Sequence, residues 1–313
     1  MTAIRLGTRA SVLARTQSGQ VADMIGRTLR REVELVAIST QGDRTSAPLA
    51  SLGGTGVFVS ALRDALIAGE IDVAVHSLKD LPTAPEPGVA LAAVPTREDP
   101  RDALVARDGL TLGELPPGAT VGTGSPRRTA QLHALGLGLD VRPIRGNIDT
   151  RLAMVTTGAF DAVVLARAGL ARIDKQHTIT ETIDPLQMLP APGQGALAVE
   201  TRSDDPLGLE LALIDDSATR AAVTAERALL ATLEAGCSAP VGALAEVVEG
   251  DCGPELWLRA IALSSDGALS VRRTLSGRLD ASVELGQNLA ALMLDEGAAD
   301  LITLPEPQTT TSE

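Results

Sequence analysis

The chain has 313 residues, 44% of them apolar and 21% charged, a globular composition long enough for two or three domains. Lys and Arg total 27 against 40 Asp and Glu, and the formal net charge of −13 argues against a general nucleic-acid role, which needs a basic footprint. Phe58, Phe160 and Trp257 are the whole aromatic complement, so the core must be packed from Ala, Val, Leu and Ile. In chain order, residues 3–7 read as a strand, 11–29 as a helix, 33–39 as a strand and 57–68 as a helix, followed by strands at 72–76 and 89–94. A second alternating set has strands at 103–106, 120–122, 141–144 and 162–165, with helices after Ser125 and Asn147. Pro-rich breaks at 95–100 and 189–195 separate the sets, and 196–200 reads as one more strand. From Ser217 the pattern changes to a helix at 218–233, strand-like runs at 256–263 and 268–275, and a helix near 283–294.

Two breaks imply that one α/β lobe is inserted into another, with a paired hinge between them and a ligand cleft at the seam. The expected domains are 1–97 with 195–215, the inserted lobe 100–190, a small α+β domain 217–307 and a disordered tail 308–313. The N-terminus lacks an apolar segment of signal-peptide length, and no stretch approaches the roughly 18 apolar residues of a membrane span. A cytoplasmic location with no membrane partner is therefore expected. Cys237 and Cys252 are too few for a disulfide framework. His76, His133 and His177 are too scattered for a zinc site, so no metal is expected.

The arginines sit at unusual places. Ser125 is a good N-cap and Pro126 a good first helical residue, yet Arg127 and Arg128 follow where the helix dipole favours acids. An anion beside them would remove the mismatch. A second junction offers Asn147 as the cap, flanked by Arg145 and Arg151, and a third places Arg9 just before the capping Ser11. Arg172 follows another short strand–helix unit. Without a G-x-x-x-x-G-K-[ST] loop, several separated guanidinium forks fit a ligand with many carboxylates better than one phosphate. The strand before Asp80 ends in His76, Lys79 and Asp80, which makes Asp80 a candidate acid/base or charge stabiliser. Cys237 lies in a small-residue turn, Glu234-Ala235-Gly236-Cys237-Ser238-Ala239-Pro240, which leaves its sulfur reachable. From the residues alone, a two-lobed anion-binding or sensor protein and a transferase using Cys237 as a transient nucleophile both remain open.

Six ordered segments narrow the choice: GTRAS at 7–11, AVHSLKDLP at 74–82, GTGSPRR at 122–128, IRGNIDTRL at 144–152, PGQGALAVE at 192–200 and EAGCSAPVGA around Cys237. Together they resemble the porphobilinogen deaminase (hydroxymethylbilane synthase) family across almost the whole chain. The resemblance implies two lobes like those of type II periplasmic binding proteins, plus a third domain carrying a dipyrromethane cofactor in thioether linkage to Cys237. It implies condensation of four porphobilinogens head to tail with loss of ammonia, then hydrolytic release of hydroxymethylbilane. Asp80 would be the catalytic aspartate. Arg9, Ser11, Lys79, Ser125, Arg127, Arg128, Arg145, Asn147, Arg151 and Arg172 would hold the carboxylates of cofactor and substrate. A monomer passing its product to the next pathway enzyme is expected. In the loop 42–56, Ser51 and Thr55 stand where lysines are common in the family, so a lysine-dependent lid contact is not carried over.

Overall fold

The computed structural model describes residues 2–38, 56–236, 239–250 and 253–302, with side chains from Val59 onward in the second stretch. The loop leading to Gly56, Cys237 with its neighbour Ser238, and the tail from residue 303 lie outside the described residues. The chain first lays down β1 (Ile4–Thr8), α1 (Val12–Leu29), β2 (Val33–Ala37), α2 (Gly56–Ile67), β3 (Val73–Ser77) and β4 (Val89–Ala93). It then crosses over and forms β5 (Asp102–Ala106), β6 (Thr120–Thr123), α3 (Pro126–Ala134), β7 (Asp140–Pro143), α4 (Ile148–Thr156), β8 (Ala162–Ala166), α5 (Arg167–Arg172) and β9 (Glu181–Thr182). A second crossing returns it to β10 (Leu197–Arg202) and α6 (Leu207–Leu211). The last part contains α7 (Ser217–Thr232), β11 (Val241–Gly250), β12 (Gly253–Leu263), β13 (Ser270–Arg278), α8 (Ser282–Asp295) and α9 (Ala298–Ile302).

The two lobes repeat one plan. The first sheet runs β2-β1-β3-β10-β4 and the second β7-β6-β8-β5-β9. In each, three parallel strands are followed by an antiparallel one supplied by a crossing: β10 against β3 and β4, and β5 against β8 and β9. The core of the first lobe packs Ile4, Leu6, Val73, Val75 and Val199 against Val21 and Ile25 of α1. That of the second joins Leu104, Val121, Val164 and Leu132 of α3. Aliphatic side chains fill both, as the near absence of aromatics requires. A glycine stands second from the end of the strand at the same sheet position in each lobe, β1 and β6. A Cβ on Gly7 would lie 2.4 Å from Ile71 Cδ1, and one on Gly122 2.9 Å from Ile144 Cγ2.

The third unit is an antiparallel sheet, β11-β12-β13, with α7 and α8 on one face. Strand β11 was not expected from the sequence. Its first five residues are all buried and its last five mostly exposed, because Ala243 and Ala245 face the helices while Leu244 faces Ala130 and Leu189 of the second lobe. A strand buried on both sides shows no alternation to read. Helix α7 opens on Asp216, whose side chain accepts from Thr219 N at 2.8 Å, and it buries Ala222, Ala225, Glu226 and Leu229 at helical spacing.

Glu226, fully buried, fastens this unit to both crossings. Its carboxylate accepts from Arg97 Nη1 at 2.7 Å and Nη2 at 3.0 Å, from Gly193 N at 2.6 Å and from Ala245 N at 2.9 Å. The crossings also touch each other, Glu98 N donating to Gly195 O at 3.2 Å. No helix among the described residues is long and apolar enough to cross a membrane.

Candidate active site

Strand β3 ends at Ser77 and passes into a tight turn, Leu78–Asp80. The turn is pinned by fully buried Leu78, whose N–H donates to Ala196 O of the second crossing at 3.0 Å. Lys79 and Asp80 are thereby held half-buried at the seam between the lobes. Lys79 Nζ donates to Gln194 Oε1 at 3.3 Å. Burial lowers the Lys79 pKa to about 8; Asp80 and Asp102 oppose that shift, while the Arg128 and Arg127 charges add to it.

Across the seam, α3 starts after Ser125, which has the extended backbone of a cap. The expected cap bond is not made: the Ser125 hydroxyl accepts nothing from the helix, and its N–H donates to Thr123 Oγ1 at 3.2 Å. Arg127 and Arg128 are 3% and 5% exposed, and both turn to Asp102 at the start of β5. Arg127 Nη1 donates to Asp102 Oδ2 at 2.7 Å and to Leu189 O at 2.5 Å. Arg128 donates to Asp102 Oδ1 from Nη2 at 2.8 Å and from Nε at 3.1 Å, and to Val164 O from Nη1 at 3.0 Å. Burial alone would push the Asp102 carboxyl up, but the two guanidinium charges and their hydrogen bonds hold it far below the usual carboxylate range. The anion that the helix dipole calls for beside these arginines is thus present within the chain.

Asn147 caps α4 as expected, its Oδ1 accepting from Thr150 N at 2.8 Å and Thr150 Oγ1 at 2.9 Å. Arg151, on the first turn, donates through Nε to Gly146 O at 2.9 Å. Burial and then the Arg128 charge push its pKa down. Among the described residues no carboxylate pairs with it. Ser11 caps α1 through Ala14 N at 3.3 Å, with half-buried Arg9 in the preceding turn. Arg145 is exposed. Arg172 is buried at the hinge, where its Nη2 donates to Gly195 O at 2.6 Å and its guanidinium lines a cleft with Gln20, Arg97 and Glu98.

The structure therefore groups Lys79, Arg127, Arg128 and Arg151, with Asp80 beside Lys79, and sets Arg172 on the crossing. Asp102 and Gln194 were missed by the sequence reading. A carboxylate opening the apolar run Asp102-Ala103-Leu104-Val105-Ala106 was the available signal, since an acid with no exposure needs a buried cation. Four cations meet two carboxylates in a place that is buried or half-buried, so charge balance leaves room for further anionic groups.

Two α/β lobes that meet at a cation-rich, largely buried seam define a two-lobed protein suited to holding an anionic small molecule between its domains. Residues 4–209 match the family model of the porphobilinogen deaminase dipyromethane cofactor binding domain, and residues 220–295 that of the porphobilinogen deaminase C-terminal domain. Curated porphobilinogen deaminases of Nocardia farcinica and Mycobacterium avium are 60% and 58% identical over 307 residues, 96% of this chain and 88% and 96% of theirs. The chain belongs to the porphobilinogen deaminase family. Its activity is accordingly porphobilinogen deaminase activity, a transferase step of tetrapyrrole biosynthesis, and its matched region is a dipyrromethane cofactor binding domain. Among solved structures, a periplasmic binding protein of Salmonella typhimurium with high arginine specificity is 15% identical, with a TM-score of 0.41 over 70% of this chain and 94% of that one. A periplasmic substrate-binding protein of an ABC transporter from Coxiella burnetii is 12% identical, with a TM-score of 0.43 over 67% of this chain and 91% of that one. The donor set fits the cofactor: a dipyrromethane bearing acetate and propionate groups would supply anions to match the excess of cations at the seam.

Proposed function

We propose that the seam binds dipyrromethane and porphobilinogen side by side, and that Asp80 is the catalytic carboxylate. The observation that carries this reading is the set of four cations, buried Arg127 and Arg128 on Asp102 with half-buried Lys79 and Arg151 near them, beside Asp80. Arg127 and Arg128, anchored from behind by Asp102, present a fixed positive wall, and Lys79 and Arg151 flank it. Arg9, Ser11, Ser125, Arg145, Asn147 and Arg172 extend the grip along the helix starts and the hinge, each carboxylate taking a guanidinium fork or a free helix N–H. When bound, in thioether linkage to Cys237, the dipyrromethane supplies the nucleophilic pyrrole carbon from which the product grows. Four porphobilinogens are condensed head to tail, each losing ammonia, and water releases hydroxymethylbilane. As ammonia leaves, positive charge develops on the pyrrole, and the Asp80 carboxylate stabilises it by accepting the ring N–H. Burial of Lys79 and the arginines excludes water and strengthens each of these interactions.

In the same reading the domains are 1–97 with 195–215, 100–190 and 217–307, and the enzyme works as a cytoplasmic monomer that hands its product to the next enzyme. Intact mass spectrometry of the purified protein tests the anchor. The expected result is an added mass of one dipyrromethane, absent from Cys237→Ser. An unmodified polypeptide with full activity would sink the proposal.

A further inference from the structure

Gln194 occupies the second crossing and is 1% exposed. Every hydrogen-bonding position of its amide is taken. Nε2 donates to Pro100 O on the first crossing at 2.7 Å and to Asp102 Oδ1 at 2.8 Å. Oε1 faces Lys79 Nζ of the first lobe at 3.3 Å and Arg128 Nη2 of the second at 3.5 Å. This orientation is forced, because a carbonyl and a carboxylate can only accept while an ammonium and a guanidinium can only donate. The amide is thus one rigid piece touching both crossings and one cation from each lobe.

We infer that Gln194 is a positioning residue for the deaminase reaction, whose carbonyl oxygen fixes the place and charge of the Lys79 ammonium relative to Arg128 across the seam. The need for it follows from the surroundings. Lys79 is faced by Asp80 on its own turn, by Arg127 and Arg128 on α3, by Asp102 on β5 and by Gln194 on the crossing. Two of those neighbours repel an ammonium, and Asp102 is already shared between the arginines. A neutral acceptor there holds Lys79 without cancelling the charge that a ligand carboxylate needs. A glutamate would attract Lys79 more strongly but would set a second carboxylate against Asp102. A leucine or methionine would take one hydrogen-bond partner from each of the ammonium, Asp102 and Pro100 O.

The inference rests on the reading that Lys79 holds a ligand carboxylate, yet it can be tested apart from that reading, because Lys79 and Lys175 are the only lysines in the chain. Purified protein labelled with ¹³Cε-lysine gives two lysine signals, and Lys79→Arg assigns them. In the unaltered protein the Lys79 signal should titrate with a midpoint near 8. Gln194→Met should lower that midpoint by about half a pH unit or more, the acceptor of the charged form being lost. Gln194→Glu should raise it, since a carboxylate then favours the ammonium. The alkaline limb of kcat/KM should follow in the same directions. A midpoint that stays put in whichever variant folds, with activity merely reduced, would make Gln194 a structural residue only and overturn the inference. Moved midpoints with an unmoved kcat/KM limb would spare Gln194's hold on Lys79, refute its role in the reaction, and count against Lys79 as a ligand contact.

Discussion

Asp102 and Asp80 are two carboxylates that both act on Lys79, with opposite surroundings. Asp102 has no exposure and gives both oxygens to arginines and Gln194, so it is spent on architecture. Asp80 stays half-buried in a turn that fully buried Leu78 holds in place, and in the proposed reading its charge serves the substrate. Asp80→Asn keeps the shape and removes the charge. It should lower kcat at least about a hundredfold, while unfolding free energy stays within about 0.5 kcal/mol of the parent. Steady-state kinetics with urea unfolding on one preparation decide this, and near-normal turnover would take Asp80 out of the mechanism.

At the scale of elements, helix starts were legible in the sequence because caps are local: Ser11 and Asn147 do what their positions announced. The partners of Arg127 and Arg128 were not. Asp102 precedes them by two dozen residues at the start of strand β5, and a single polar residue leaves no periodic trace. Strand β11 escaped for the reason that makes it stable, burial on both faces. The hinge shows the same lesson at Gly195. Its φ of +91° disfavours any side chain, and a Cβ there would sit 2.3 Å from Glu98 O of the other crossing. Gly136 has a φ of +66° with nothing within 4 Å, which makes it the control. Gly136→Ala should cost about 1 kcal/mol for the left-handed backbone alone. Gly195→Ala should cost about 3 kcal/mol or more, because the crossings must also separate. It should raise KM as well, since Gln194 and the Arg172 anchor move with it. Equal costs at the two sites in chemical denaturation would mean that the crossings yield freely.

For the whole molecule, the question is whether three units behave as one. Glu226 joins them at a point with no solvent access, one carboxylate satisfying Arg97, Gly193 and Ala245. Removing one partner of a buried pair costs about 3–5 kcal/mol, because the other charge is left behind. Glu226→Ala should lose about that much in urea unfolding, and the single transition expected of the parent should divide in two as the α7–α9 unit melts separately from the lobes. One undivided transition with less than about 1 kcal/mol lost would show that apolar packing alone unites the units. The strand order has a further consequence during synthesis. Strand β10 lies between β3 and β4, yet residues 94–196 are made before it. At about 5–20 residues per second the first sheet waits roughly 5–20 s for this fourth strand of its order. Meanwhile the facing edges of β3 and β4 stay unpaired, and Arg63 lacks the Glu200 carboxylate that it meets at 2.7 Å in the finished protein. All five strands of the second lobe, β5 to β9, are contiguous in the chain. On the ribosome, the inserted lobe can therefore be complete before its host, and the nascent first lobe is the part that most needs shielding from other chains.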